Sequence, residues 1–339
     1  MRALYLSETG DAGKDLPEAY AAALRRVVEL SVEIVPEPLE EKAKLDLFRS
    51  HDIYLVGRAS SPLPGGLAVD PGRLRLVAAA VGSLRHILAP DHFRAGIRVA
   101  NWGDAPAFII AEGTLVLLLA ALKDLRTQVD LIAGGGWQLD QASHGGTIEG
   151  ARVGLYGFGF IGAEFVRLLR PFRPRAVRIY DPYAETLPRW CRRASSLEEL
   201  FADSDIVSIH AGLSDETRGS VGARLLAMLP SGAVVVNTAR GAIIDQDALF
   251  QELSRGRLRA GLDVLEPDSL PPGHPARLWP NLLLTAHQIG WGWPSSYGGS
   301  HYAGILSKAQ RYVVDNLRRF ARNEPLRWEV DAVRFLRMT

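Results

Sequence analysis

The sequence predicts an α/β protein built from two doubly wound parallel-sheet domains. Short apolar runs alternate with helical or polar stretches along most of the chain, which is the pattern of parallel strands joined by helical crossovers. A glycine cluster in mid-chain is followed by a second series of such runs. The chain has 339 residues, long for one compact domain and comfortable for two.

The first series runs strand Leu4–Leu6, helix Glu18–Leu30, strand Val32–Val35, helix Leu39–Arg49, and strands Ile53–Val56 and Leu74–Ala80. The stretch Arg58-Ala59-Ser60-Ser61-Pro62-Leu63-Pro64-Gly65-Gly66 is loop chemistry directly after a strand. In an open parallel sheet such loops lie at the carboxyl edge, where ligands bind. A long apolar helix follows over Ala107–Leu131 and stops at Gly134-Gly135-Gly136. Part of it, Ala105–Leu122, is nearly apolar enough for a membrane span. It carries Glu112 and Gly113 and lacks flanking aromatic residues, so a buried helix or one at a subunit interface is the better reading. The second series places strands at Arg152–Tyr156, Ala176–Tyr180, Ile206–Ile209, Val234–Asn237, Ala260–Val264 and Leu282–Thr285. Six strands in this alternation fit a dinucleotide-binding sheet. A helix over Tyr302–Phe320 is long enough to cross between domains.

Composition narrows the partners. Apolar residues make up 47%, charged residues 23%, and the net charge is +1. That describes a globular protein with a sizeable core and excludes a nucleic acid or an anionic membrane as partner. The single cysteine, Cys191, excludes an intrachain disulfide and a thiolate zinc site, and no metal site is expected. The chain opens directly on the apolar run Ala3–Leu6 without a secretory pattern, so a cytoplasmic setting is expected.

Val153-Gly154-Leu155-Tyr156-Gly157-Phe158-Gly159-Phe160-Ile161-Gly162 is a strand followed by G-x-G-x-x-G and a helical run. Gly157 permits the tight turn, Gly159 removes a side chain from the path of a pyrophosphate, and Gly162 lets helix and strand pack closely. The helix N-terminus then offers unpaired N–H groups to the anion. Asp181 lies at the end of the next strand, about twenty residues on, where a carboxylate accepts hydrogen bonds from ribose hydroxyls. It repels a 2′-phosphate and so favours NAD as cofactor, although Arg189, Arg192 and Arg193 lie close enough in sequence to meet one.

Three later strands end in polar groups: Asn237-Thr238-Ala239-Arg240-Gly241, Leu262-Asp263-Val264-Leu265-Glu266-Pro267-Asp268, and Leu284-Thr285-Ala286-His287. An arginine grips a carboxylate with a fork of donors. Hydride transfer to a carbonyl carbon leaves charge on oxygen, which needs a proton donor, and histidine fills that role near neutral pH. A neighbouring carboxylate orients the ring and favours its charged form. Together these groups point to an NAD-dependent enzyme acting on a small 2-hydroxy or 2-keto acid.

At these motifs the chain resembles the D-isomer-specific 2-hydroxyacid dehydrogenases. The resemblance runs from about Val99 to Asn323. It is densest in Gly157–Gly162, Asp215-Glu216-Thr217-Arg218-Gly219, Asn237–Gly241, Leu262–Val264 and Asn281–His287. It implies a flavodoxin-like substrate domain made from both chain ends, residues 1–101 and 300–339, with a Rossmann NAD-binding domain inserted over 102–299. It also implies an active site between the domains and a homodimer. By position, Arg240 matches the substrate-binding arginine, His287 the acid/base, and Asp263 the aspartate near the nicotinamide. Phe160 and Ile161 match the backbone at the pyrophosphate, and Thr217 and Ala239 match cofactor-lining positions. Reduction of a glyoxylate- or hydroxypyruvate-like acid is the implied activity.

The chain departs from the family pattern in three places. The glutamate that usually pairs with the histidine is replaced at its position by Asp268, with Glu266 two residues earlier as the other candidate. Trp291 and Trp293 follow the histidine, either lining the substrate pocket or packing at a hinge. The substrate loop begins as Val81-Gly82-Ser83 but continues Leu84-Arg85-His86, leaving Arg58, Ser83 and Arg85 as candidate substrate contacts suited to a second acidic group. The alternative reading is a non-catalytic NAD-binding regulatory scaffold on the same fold. Formate oxidation is disfavoured, because formate dehydrogenases typically pair the histidine with glutamine.

Overall fold

The computed structural model describes residues 1–9, 15–137, 145–290 and 306–337. The chain divides into two compact units, Met1–Pro106 with Gly292–Thr339, and Ala107–Trp291.

The first unit opens with β1 (Arg2–Ser7), α1 (Glu18–Arg25), β2 (Glu29–Ile34), α2 (Glu41–Arg49), β3 (Ile53–Val56), β4 (Leu76–Ala79), α3 (Pro90–Arg94) and β5 (Arg98–Ala100). Strands β1, β3 and β4 are buried along their apolar runs, as strands covered on both faces are. The helix expected to reach Leu30 ends at Arg25, and β2 begins at Glu29. Val27 and Val28 are stiff, β-branched residues, and β2 pairs with β1 along its whole length, from Arg2 opposite Glu29 to Ser7 opposite Ile34. The short strand β5 had no signal of its own in the sequence.

The second unit begins with α4 (Ala107–Leu122) and α5 (Leu125–Ala133), where the sequence suggested one helix to Leu131. The break falls at Asp124, which adopts φ +52°, a left-handed conformation that aspartate tolerates better than most residues. The Thr127 hydroxyl donates to its carboxylate at 2.8 Å, so the break is built into the side chains. No helix among the described residues is long and apolar enough to cross a membrane. There follow β6 (Arg152–Tyr156), α6 (Phe160–Leu169), β7 (Ala176–Tyr180), β8 (Arg192–Arg193), α7 (Leu197–Ala202), β9 (Ile206–Ile209), α8 (Ala223–Met228), β10 (Val234–Asn237), α9 (Gln246–Ser254), β11 (Arg259–Leu262) and β12 (Leu282–Leu284). Four strands have the bounds expected from sequence. Strand β11 stops two residues early, at Leu262, and β12 one early, at Leu284. The chain then supplies α10 (Lys308–Ala321), β13 (Glu329–Val330) and α11 (Ala332–Arg337) to the first unit. The expected helix start at Tyr302 lies outside the described residues.

The first sheet has the order β13-β5-β4-β3-β1-β2. Its parallel part is the flavodoxin-like order 2-1-3-4-5, with β13 added antiparallel to β5 at one edge. The second sheet has the order β12-β11-β10-β9-β6-β7-β8. Renumbered from β6, this is the dinucleotide-binding order 3-2-1-4-5-6 with one further strand, β12, at the edge. The chain turns outward in opposite directions from β6, so a crevice opens beyond the carboxyl ends of β6 and β9.

Candidate active site

Strands β10, β11 and β12 are neighbours in register, so the segments that follow them emerge side by side at the carboxyl edge. The first carries Arg240, the second Asp263 and Asp268, the third His287. The His287 Nδ1 lies 2.6 Å from Asp268 Oδ2. Both side chains are about half exposed. For Glu266, the other candidate partner, the contact is a backbone one: its N–H donates to Gln246 Oε1 at 3.0 Å. Arg240 is partly buried. Burial works against its charge, while the nearby Asp268 carboxylate works for it. One guanidinium nitrogen donates to the Ala239 carbonyl at 2.7 Å. The Asp268 carboxylate thus bonds the His287 ring and acts electrostatically on Arg240.

His287 adopts φ +55°, which a non-glycine residue holds only when its surroundings enforce it. Asp263 supplies much of that enforcement. It is buried, and its Oδ1 accepts from the Thr285 hydroxyl at 2.6 Å, Gln288 N at 3.0 Å and Ile289 N at 3.1 Å. Its carbonyl accepts from His287 N at 2.9 Å. The residue expected near the nicotinamide therefore also fixes the turn that presents the imidazole.

At the other end of the crevice, Gly157 has φ +97°, and a Cβ there would strike the backbone of Ala211. A Cβ on Gly162 would strike the Gly157 carbonyl, whereas the space around Gly159 is open. Phe160 is the first residue of α6, with Gly159 capping it. Asp181 reaches back to this turn: Oδ2 accepts from Phe158 N at 2.6 Å, and Oδ1 accepts from Tyr183 N at 2.8 Å and Ala184 N at 3.1 Å.

Residues 115–288 match the family model described as D-isomer specific 2-hydroxyacid dehydrogenase, NAD binding domain. A hydroxypyruvate reductase of Thermotoga maritima is 31% identical over 242 residues, covering 71% of this chain and 77% of that one. The chain belongs to the D-isomer-specific 2-hydroxyacid dehydrogenases. A glyoxylate reductase of Korarchaeum cryptofilum is 27% identical over 327 residues, 92% of each protein. Among solved structures, a D-isomer specific 2-hydroxyacid dehydrogenase of Xanthobacter autotrophicus in complex with NADPH is 26% identical with a TM-score of 0.74, covering 98% of this chain and 99% of that one.

As a member of this family the protein is an oxidoreductase with NAD as its cofactor, and the glycine turn suits that group. The open space at Gly159 faces the first turn of α6, whose N–H groups have no helical partners. Asp181 accepts three backbone hydrogen bonds and, as a carboxylate, retains capacity for a ribose hydroxyl. Two other expected cofactor contacts serve their own loops. Thr217 Oγ1 donates to Gly212 O at 2.7 Å and accepts from Ser214 N at 2.8 Å, while Ala239 N donates to Asn237 Oδ1 at 2.9 Å.

In the dehydrogenase's first unit, Arg58 follows β3 and Ser83 and Arg85 follow β4, adjacent strands of one sheet. Arg85 donates to the Leu336 carbonyl of α11 at 2.7 Å, which ties that arginine to the C-terminal helix. Trp291 and Trp293 lie outside the described residues.

Three supporting residues escaped the sequence reading. A Cβ on Gly241 would collide with the backbone of Leu265, so this glycine lets the Arg240 loop meet the Asp268 loop. A Cβ on Gly113 would collide with the Ile289 carbonyl, so α4 passes directly beneath the His287 turn. Next to it, Thr114 Oγ1 lies 2.8 Å from Thr238 Oγ1, two residues before Arg240. The available signal was a Gly-Thr step inside an otherwise apolar helix, where glycine costs about 1 kcal/mol against alanine and so marks a packing demand.

Proposed function

We propose that this dehydrogenase interconverts a small D-2-hydroxy acid and its 2-keto acid, of the glyoxylate or hydroxypyruvate class. Arg240 binds the substrate carboxylate and polarises the neighbouring carbonyl, a role suited to a partly desolvated guanidinium whose field is little screened. The Gly159–Ile161 backbone and Asp181 would hold NAD(H), which would supply the hydride in reduction and take it back in oxidation. His287 moves the proton. With Nδ1 bonded to Asp268, its Nε2 is the atom left to give a proton to the oxygen on C2, or to take one from the alcohol in the reverse direction. Asp268 holds the ring in that tautomer and offsets its positive charge.

The observation that carries this reading is the 2.6 Å contact of His287 with Asp268 beside a partly buried arginine. The reductase names of the relatives in Thermotoga and Korarchaeum support the substrate class. The test is a panel of 2-keto acids mixed with NADH, followed by loss of NADH absorbance. Turnover of glyoxylate or hydroxypyruvate is expected, and failure of every 2-keto acid in the panel would contradict the proposal.

The reading includes a homodimer. Helix α5 has no buried residue, and Leu125, Val129 and Ile132 line its exposed surface as an apolar stripe at helical spacing. Phe108 and Val116 of α4 are exposed as well. A second copy of this unit is the partner such a surface suits. A cytoplasmic setting fits the lone Cys191, whose thiol is pushed up to about 11 by burial and so stays protonated and unreactive.

A further inference from the structure

The sheet order β9-β6-β7 places the segments after β7 and β9 on either side of the glycine turn that follows β6. Each is a rigid, self-bonded turn. After β7, the Asp181 carboxylate accepts from Tyr183 N and Ala184 N, and Arg193 donates to the carbonyls of Asp181 at 2.9 Å and Ala184 at 2.5 Å. After β9, Thr217 closes a loop onto Gly212 and Ser214. A direct side-chain contact joins the two turns: the Tyr183 hydroxyl donates to Glu216 Oε2 at 3.3 Å. Tyr183 is 58% exposed, and Glu216 is exposed as well. The contact therefore spans the carboxyl end of β6 from outside, above the crevice in which a dinucleotide lies on this fold.

The electrostatics agree with that placement. The Tyr156 phenol, at the end of β6, has its pKa raised by burial first, and the charges acting on it in the same direction include both Glu216 and Asp181. Carboxylates from two different turns thus act on the same phenol. Of the three arginines that follow β7, Arg193 is spent on the carbonyls of the 181–184 turn.

We propose that Tyr183 and Glu216 form a clasp across the adenosine end of the NAD site, and that Glu216 joins Asp181 in rejecting a 2′-phosphate. This rests on the NAD reading of the glycine turn and extends it to cofactor selection and release. The two functions separate cleanly by substitution. Glu216→Gln keeps an acceptor for the phenol and removes only the charge. Tyr183→Phe keeps the charge and removes only the hydrogen bond. Both side chains are exposed, so neither change burdens folding.

The measurement is binding without substrate: fluorescence titration of NADH and NADPH, and stopped-flow release of NADH, for the wild type and both variants. The wild type is expected to prefer NADH. Glu216→Gln is expected to raise NADPH affinity relative to NADH about 5-fold at low ionic strength, with the gain shrinking in high salt as exposed charges are screened. Tyr183→Phe is expected to leave that ratio unchanged and to speed NADH release about 3-fold, the worth of one modest hydrogen bond. An unchanged cofactor ratio in Glu216→Gln, or unchanged release from Tyr183→Phe, overturns the clasp while the wild type's own binding leaves the NAD reading standing. A wild type that binds neither cofactor overturns the NAD reading itself and the clasp with it.

Discussion

His287 Nδ1 and Asp268 Oδ2 lie 2.6 Å apart, although each residue stands on a separate segment after a separate strand and Glu266 offers a carboxylate two residues nearer to β11. The pairing sets the first prediction. Asp268→Asn presents a neutral amide to the ring and is expected to lower kcat on the order of 10²-fold, because the amide neither holds the ring's orientation as the carboxylate does nor offsets the charge that builds up during proton transfer. Glu266→Gln is expected to retain near wild-type kcat. Steady-state rates of the two variants across pH decide between them, and the opposite ranking would make Glu266 the partner.

Gly241 permits a close approach between the Arg240 loop and the Leu265 backbone. Gly241→Ala forces those backbones apart. It is expected to destabilise the protein by about 1–3 kcal/mol, the usual penalty of overpacking, and to raise KM for the keto acid by displacing Arg240. Denaturant unfolding together with steady-state kinetics checks both. A variant with wild-type stability and KM would show that the two loops are free to separate.

His210 gives a prediction about pH. Its Nε2 lies 2.8 Å from Ser208 Oγ, and its buried Nδ1 meets no hydrogen-bond partner among the described residues. Burial lowers its pKa to about 3. The unfolded chain therefore takes up this proton first as pH falls below about 6.5. Between there and about 3 the unfolded state holds more protons, so stability falls with falling pH, by about 1.4 kcal/mol per pH unit from this one group. Above pH 6.5 the residue contributes no pH dependence. His210→Asn is expected to remove that part of the slope in unfolding midpoints measured from pH 7 to pH 5. Parallel slopes for variant and wild type would contradict it.

The exposed stripe on α5 predicts an association state. Val129→Asp combined with Ile132→Asp is expected to convert a dimer to a monomer in light scattering without loss of helical signal. A wild type that is already monomeric at micromolar concentration would contradict the dimer reading.

Much of the second unit was legible in the sequence, because its strands are short runs of β-branched and aliphatic residues punctuated by glycine, and because polar groups that end such runs fall at the ligand-binding edge. Arg240, His287 and Asp181 were visible for that reason. The choice between Asp268 and Glu266 was not, since it depends on how the chain turns after Leu265. The roles of Gly113 and Gly241 were hidden for a related reason: each is defined by a backbone more than 20 residues away. Asp124 broke a helix that apolar periodicity extended through it. In the first unit, the contact of Arg85 with Leu336 joins residues 251 apart, a distance over which local pattern carries no signal.

The role of Arg240 is tested most directly by comparing Arg240→Ala with the wild type in two assays on the same protein: kcat/KM for a 2-keto acid, and the dissociation constant for NADH without substrate. The expected result is a fall in kcat/KM on the order of 10³-fold, the scale of losing one partner of a desolvated charge pair, with NADH affinity within about twofold of wild type. Wild-type turnover by the variant, or equal losses in turnover and NADH binding, would contradict the assignment of Arg240 to the substrate carboxylate.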